Sequence, residues 1–75
     1  MNRDHRLQSR RLSLFLEESQ QIQKHAALLQ VRLLLVEQHI GQGELNVTRI
    51  NKEVEEMAEQ LAQIKKHLAR MRRYT

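Results

Sequence analysis

The 75-residue chain contains no cysteine, no proline and no tryptophan, and its aromatic side chains are limited to Phe15 and Tyr74. Without cysteine, disulfides and thiolate metal sites are excluded, and a reducing cytoplasm is the expected location. The most apolar stretch, residues 28–36, contains Gln30 and Arg32, whereas a membrane-spanning helix needs about 20 apolar residues. The sequence therefore predicts a cytoplasmic protein without a membrane span.

The basic residues are concentrated at the two ends of the chain, whose formal net charge is +4. Residues 1–11 and 65–73 hold nine of the thirteen basic residues and only one acidic residue, Asp4. If the chain folds back on itself, these ends form a basic pole. Such a pole would complement the end of a helix dipole and favour solubility, or it would attract an anionic partner such as nucleic acid. Its members are Arg3, Arg6, Arg10, Arg11, Lys65, Lys66, Arg70, Arg72 and Arg73.

Apolar residues recur at alternating steps of three and four along most of the chain. This period of 3.5 is typical of a coiled coil, because it keeps one side of a helix facing a partner over many turns. The first run is interrupted by a single polar residue, Ser19, and the second run by none. Together they predict a hairpin seam formed by Leu12, Phe15, Ile22, Ala26, Leu29, Leu33, Val36 and Ile40 on helix 1 and by Val47, Ile50, Val54, Met57, Leu61, Ile64, Leu68 and Met71 on helix 2.

The pattern predicts helix 1 over about residues 7–40, a turn over 41–45 and helix 2 over about residues 47–73. Gly41 is the expected left-handed stop of helix 1, and Asn46 is the expected N-cap of helix 2, with Leu45 packed on Ile50 as a hydrophobic staple. A five-residue link forces the helices antiparallel. We therefore predict a single all-α domain, an antiparallel two-helix hairpin resembling a coiled coil. A chain this small usually needs association to be stable, so homo- or hetero-oligomerisation should complete it.

Helix 1 has a second group of apolar residues on the side away from the seam, where a helix in a simple hairpin is polar. Single exposed leucines are normal, but a cluster of them indicates an interface. The equivalent positions of helix 2 are polar. The sequence thus predicts a partner-binding surface for another copy or for a different protein, consisting of Leu7, Leu14, Leu28, Val31, Leu34 and Leu35.

No group of residues points to catalysis or to a bound cofactor. The histidines His5, His25, His39 and His67 lack the spacing of zinc or di-iron motifs, and the seam register places none opposite another. They are therefore expected at the solvated edges of the seam. The serines and threonines lack a neighbouring base, and no strand precedes the Gly41–Gly43 turn to make a phosphate-binding loop. We expect a protein that is not an enzyme and binds neither metal nor cofactor.

The length, the two helices, the glycines at 41 and 43 and the additional apolar face of helix 1 resemble a known family. These are the small "E" co-chaperones of the needle protein in bacterial type III secretion systems, and the resemblance covers about residues 12–73. It implies a cytosolic chaperone that packs against a TPR-like partner chaperone and keeps the needle subunit soluble and monomeric until export. The candidate surface for the partner is then formed by Leu28, Val31, Leu34 and Leu35.

The alternative interpretation is a homodimeric four-helix bundle that binds nucleic acid through its basic pole. Two features weigh against it. Only Tyr74 lies near the pole to stack on an unpaired base, and the cations gather at one end of the hairpin rather than along one helix. Small plasmid-encoded RNA-binding bundles provide an analogy for RNA held across the end of such a dimer.

Overall fold

In a computed structural model the chain forms two long helices that pack against each other. The structure describes residues 2–43 and 46–75, with side chains from residue 8 onward. Helix α1 spans Asn2–Gly41 and helix α2 spans Val47–Met71, followed by a 3-10 turn, Arg72–Tyr74. The described residues form a rod whose Cα extents are 64 × 15 × 11 Å. The predicted all-α helical hairpin is confirmed.

The helix ends differ slightly from the predicted ones. Helix α1 begins at Asn2 rather than near residue 7, because the polar residues at its start include neither proline nor glycine to interrupt it. Helix α2 ends at Met71 rather than at residue 73, and its last turn tightens into the 3-10 turn. Such tightening gives some of the last carbonyl groups of a helix hydrogen-bond donors that they would otherwise lack.

In the described part of the connection between the helices, Gly43 and not Gly41 adopts the left-handed conformation. The helical pattern continues past Gly41, because the Gln42 N–H donates to the Gln38 carbonyl oxygen at 3.0 Å. Gly43 then adopts a φ of +72° and donates to the Ile40 carbonyl oxygen. The prediction that Gly41 is the left-handed stop was therefore wrong, since that conformation occurs two residues later.

Helix α2 begins at the predicted N-cap. The side-chain oxygen of Asn46 accepts a hydrogen bond from the Arg49 backbone N–H at 3.2 Å. This bond satisfies one of the N–H groups that have no partner within the helix. The predicted staple between Leu45 and Ile50 involves a residue that lies outside the described part of the chain.

Substituting the two glycines separately should change stability in opposite directions. Gly43→Ala is expected to lower the free energy of unfolding by about 1 kcal/mol, because an L side chain is strained at positive φ. Gly41→Ala, the matched control, should raise it by roughly 0.5 kcal/mol, because alanine is favoured over glycine within a helix. An added Cβ would meet nothing within 4 Å at either site. The sign of the stability change therefore depends on the backbone conformation alone. Urea unfolding followed by circular dichroism measures both, and a destabilised Gly41→Ala would contradict the assignment.

The helices enclose only half of the predicted seam. One row, which we call the inner row, is buried or half-buried between them, and Val36 is its most buried member, at 9% exposure. The inner row consists of Phe15, Ile22, Leu29 and Val36 on α1 and Ile50, Met57, Ile64 and Met71 on α2. The helices are rotated about their axes relative to the predicted seam, and the remaining large seam residues are exposed.

Those remaining seam residues form a second row, which we call the open row. Its seven large side chains are 45–74% exposed rather than enclosed between the helices, whereas Ser19 and Ala26 are half-buried. In an antiparallel pair the same flank of each seam lies on the same side, so both halves of the row share one face of the hairpin. The open row consists of Leu12, Ser19, Ala26, Leu33 and Ile40 on α1 and Val47, Val54, Leu61 and Leu68 on α2.

Candidate protein-binding surfaces

Polar residues occupy the interface position that the open row leaves. On each helix they recur every seven residues, on the side of the inner row opposite to the open row, and all are buried or half-buried. A seven-residue repeat keeps them facing the same neighbour along the whole hairpin. This polar row consists of Glu18, His25, Arg32 and His39 on α1 and Glu53, Gln60 and His67 on α2.

The polar row is joined across the helices by hydrogen bonds and ion pairs. His25 Nδ1 lies 2.5 Å from Gln60 Oε1. One heptad further toward the turn, Arg32 donates to Glu53 at 3.1 Å and to Glu56 at 2.6 Å. Because each contact is one heptad from the next on both helices, these bonds define an antiparallel register. They also satisfy polar groups that would be costly to bury unpaired.

At the other end of the polar row, Glu18 belongs to a cluster of four side chains. The Glu18 carboxylate accepts a hydrogen bond from His67 Nδ1, and Arg70 lies 3.9 Å from its other oxygen. The ring of His67 stacks on that of His25, with centroids 5.7 Å apart. His67 is only 8% exposed. The prediction that no histidine lies opposite another and that all lie at solvated edges was therefore wrong.

The rotation of the helices explains this difference. The seam was predicted from apolar residues alone. In that prediction His25 and His67 lie beside the contact between the two helices and are not part of it. A sequence signal was present, because Glu18, His25, Arg32 and His39 repeat every seven residues beside the seam. That signal does not reveal that their partners lie 35 and 49 residues away along the chain for His25 and Glu18, respectively. Within the described residues, no group of three or more histidine, aspartate or glutamate side chains is placed to hold a metal ion.

The predicted partner-binding residues lie away from the open row. Val31 and Leu34 are 53% and 63% exposed, and Leu28 is also exposed. Leu14 and Leu35 are half-buried beside the polar row. The side chain of Leu7 lies outside the described part of the chain. We call Leu28, Val31, Leu34 and Leu35 the outer face of α1, because Leu34 projects almost directly away from α2 in the heptad geometry.

The helical hairpin brings the predicted basic pole together at one end of the rod. The contacts of Glu18 with His67 and Arg70 place the start of α1 beside the end of α2. Every described pole residue is exposed, although Arg70 lies near Glu18. The described members are Arg10, Arg11, Lys65, Lys66, Arg70, Arg72 and Arg73, while the side chains of Arg3 and Arg6 are outside the described residues.

Comparison with protein-family models, with characterised proteins and with solved structures found no match for this chain. Neither described helix combines the length and the apolar character that crossing a membrane requires. Three surfaces of the described residues are candidates for binding a partner. Two are apolar, the open row and the outer face of α1, and they lie on different sides of the hairpin. The third is the exposed basic pole.

Proposed function

We propose that this protein is a non-enzymatic adaptor or small chaperone that binds a helical partner protein through the outer face of α1. The observation that carries the proposal is the exposure of Leu28, Val31 and Leu34 within two turns of one helix. Clustered exposed apolar side chains mark interaction sites, because leaving them in water has no stabilising effect on the hairpin. An apolar groove between partner helices would cover them in the helix-in-groove mode.

The resemblance to the small co-chaperones of type III secretion supports a more specific proposal. The partner would be a TPR-like chaperone, and the pair would keep the self-polymerising needle subunit soluble. Stacked helix pairs of that kind present extended concave surfaces that accept an amphipathic helix. The hairpin would then act in the cytoplasm by presenting a binding surface to its partner and not by catalysing a reaction.

The test compares two variants that add one negative charge to the same side of α1. Leu34→Glu is expected to weaken partner binding at least tenfold, because the carboxylate would be desolvated in an apolar groove. Gln20→Glu, two heptads earlier and already polar, should leave it unchanged. Both positions are exposed, so the helix content of the hairpin should survive both changes. The partner would be purified from the native host with the tagged chain and identified by mass spectrometry, and its affinity for each variant measured by calorimetry.

The salt dependence of that purification separates this function from the alternative one. An apolar interface is not screened by salt, so a protein partner should remain bound through a high-salt wash. Nucleic acid held by the exposed basic pole would fall away as salt rises, because each phosphate contact releases counterions. Recovery of nucleic acid alone, lost at high salt, would overturn the adaptor proposal and favour the pole. Equal affinity of Leu34→Glu and Gln20→Glu for a protein partner would exclude the outer face as its site.

A further inference from the structure

The open row is an apolar surface shared by both helices along the length of the hairpin. Each helix contributes one residue per heptad, and all seven of its large side chains are exposed. Fully burying a leucine, isoleucine or valine side chain is worth about 1.5–3 kcal/mol. A two-helix hairpin with one buried apolar residue among those described therefore leaves much of its available hydrophobic stabilisation unused.

We propose that a second copy of this chain covers the open row, packed face to face and antiparallel to the first. The four helices then enclose the open row and the inner row of both copies in one core. The outer face of α1 and the polar row remain outside this core. This inference does not depend on the proposed function, because it assigns a different surface to a different partner.

The dimensions of the open row suit a stable dimer. From Leu12 to Ile40 the row is about 42 Å long at 1.5 Å per residue, and two adjacent helices are about 20 Å wide. Each copy would bury roughly 800 Å², or about 1,600 Å² in total, which is the usual size of a stable protein interface. A second copy also has the same heptad spacing, so its side chains meet the row in register over most of its length.

The charge distribution favours the antiparallel orientation of the two copies. The half of the chain nearest the turn, residues 26–60, contains three basic and six acidic residues. The half at the termini contains ten basic and three acidic residues. An antiparallel dimer places the positive half of each copy against the negative half of the other. A parallel dimer would place both basic poles together, where like charges repel.

The middle of the open row locates the two-fold axis. Ala26 lies halfway along the α1 part of the row, and Leu61 lies at the same level on α2. An axis at this level aligns the rows of the two copies over the whole of the α1 part and, on α2, from Val54 to Leu68. Val54 of the second copy then lies opposite Leu68, at a shallow hollow lined by Lys65, Leu68, Ala69 and Arg72. The small side chains of Ala26 and Ala69 allow the helices to approach closely at these levels.

The first test is sedimentation equilibrium of the full chain, in which one substitution is made on each apolar surface. The unsubstituted chain is expected to be a dimer. Leu61→Glu should raise the dissociation constant of the dimer at least tenfold, because it places a carboxylate in the core. Leu34→Glu makes the same substitution on the outer face and should leave the dimer intact. A folded monomer for the unsubstituted chain, or equal effects of the two substitutions, would overturn the proposal.

A second test does not require the charged variant to fold. The chain has no cysteine, so a single introduced thiol reports on one contact. In the proposed dimer the two copies of residue 26 meet at the axis, and Ala26→Cys should form a disulfide-linked dimer under mild oxidation. The two copies of residue 40 are about 42 Å apart, so Ile40→Cys should remain monomeric on a denaturing gel. Failure of Ala26→Cys to cross-link, or equal cross-linking of both variants, would overturn the antiparallel arrangement. A dimer that binds no partner protein would leave this proposal intact and contradict only the proposed function.

Discussion

Glu18→Ala is expected to lower the free energy of unfolding by about 3 kcal/mol, because the buried ring of His67 is left without its hydrogen-bond acceptor. The side chain of Glu18 is only 15% exposed and accepts the hydrogen bond of His67. It also lies near Arg70. After the substitution, His67 is still packed against His25 but lacks its acceptor. A change of this size alters the ratio of folded to unfolded protein by roughly a hundredfold.

The measurement is urea unfolding followed by circular dichroism, at one protein concentration because dimerisation would couple stability to concentration. Glu17→Ala is the matched control: it removes the neighbouring carboxylate, which is exposed, and should change stability by less than about 0.5 kcal/mol. Replacing Glu18 and His67 together by leucine should restore most of the loss, since a packed apolar pair can substitute for a buried polar one. Equal losses for Glu17→Ala and Glu18→Ala would contradict the buried pair.

Val36→Ala is expected to lower the free energy of unfolding by about 2 kcal/mol, because two methyl groups that folding removes from water are lost and a cavity remains in their place. Val36 is the most buried apolar residue among those described, at 9% exposure. It belongs to the inner row, so its loss weakens the contact between α1 and α2. The same unfolding experiment measures the effect.

Val31→Ala removes the same atoms from the same helix on the outer face, where the side chain is 53% exposed. Its expected effect is near zero or slightly stabilising, because alanine has the higher helix propensity. The difference between the two stability changes therefore measures the effect of burial separately from that of helix propensity. If Val31→Ala lost as much stability as Val36→Ala, the outer face would itself be buried in the isolated protein.

The hairpin could be predicted from local features of the sequence, without knowledge of the tertiary structure. The 3.5-residue period requires helices, and the absence of proline allows them to run without interruption. Asn46 marked the start of α2 because its short side chain can accept from the Arg49 N–H. The choice of Gly41 over Gly43 as the left-handed residue was wrong, because both glycines suit that conformation and local sequence does not separate them.

The surfaces were less predictable, for a different reason. The apolar pattern predicts a stripe that includes both the inner and the open row, and it does not reveal which edge of that stripe faces the other helix. The choice depends on the partners of Glu18, His25 and Arg32, which lie on α2 at distant points of the chain. The additional apolar positions of α1 were identified from the sequence, whereas the open row was expected to be enclosed.

By itself, the sequence determined that this protein has two helices and which residues are apolar on each, since these follow from backbone propensity and a repeating period. The tertiary structure decided how each helix is rotated about its axis. That rotation buries His67 and exposes Leu61, because the hydrogen bonds of the polar row form only between residues brought together by folding. The exposure of the open row, and with it the surface proposed for a second copy, results from that rotation.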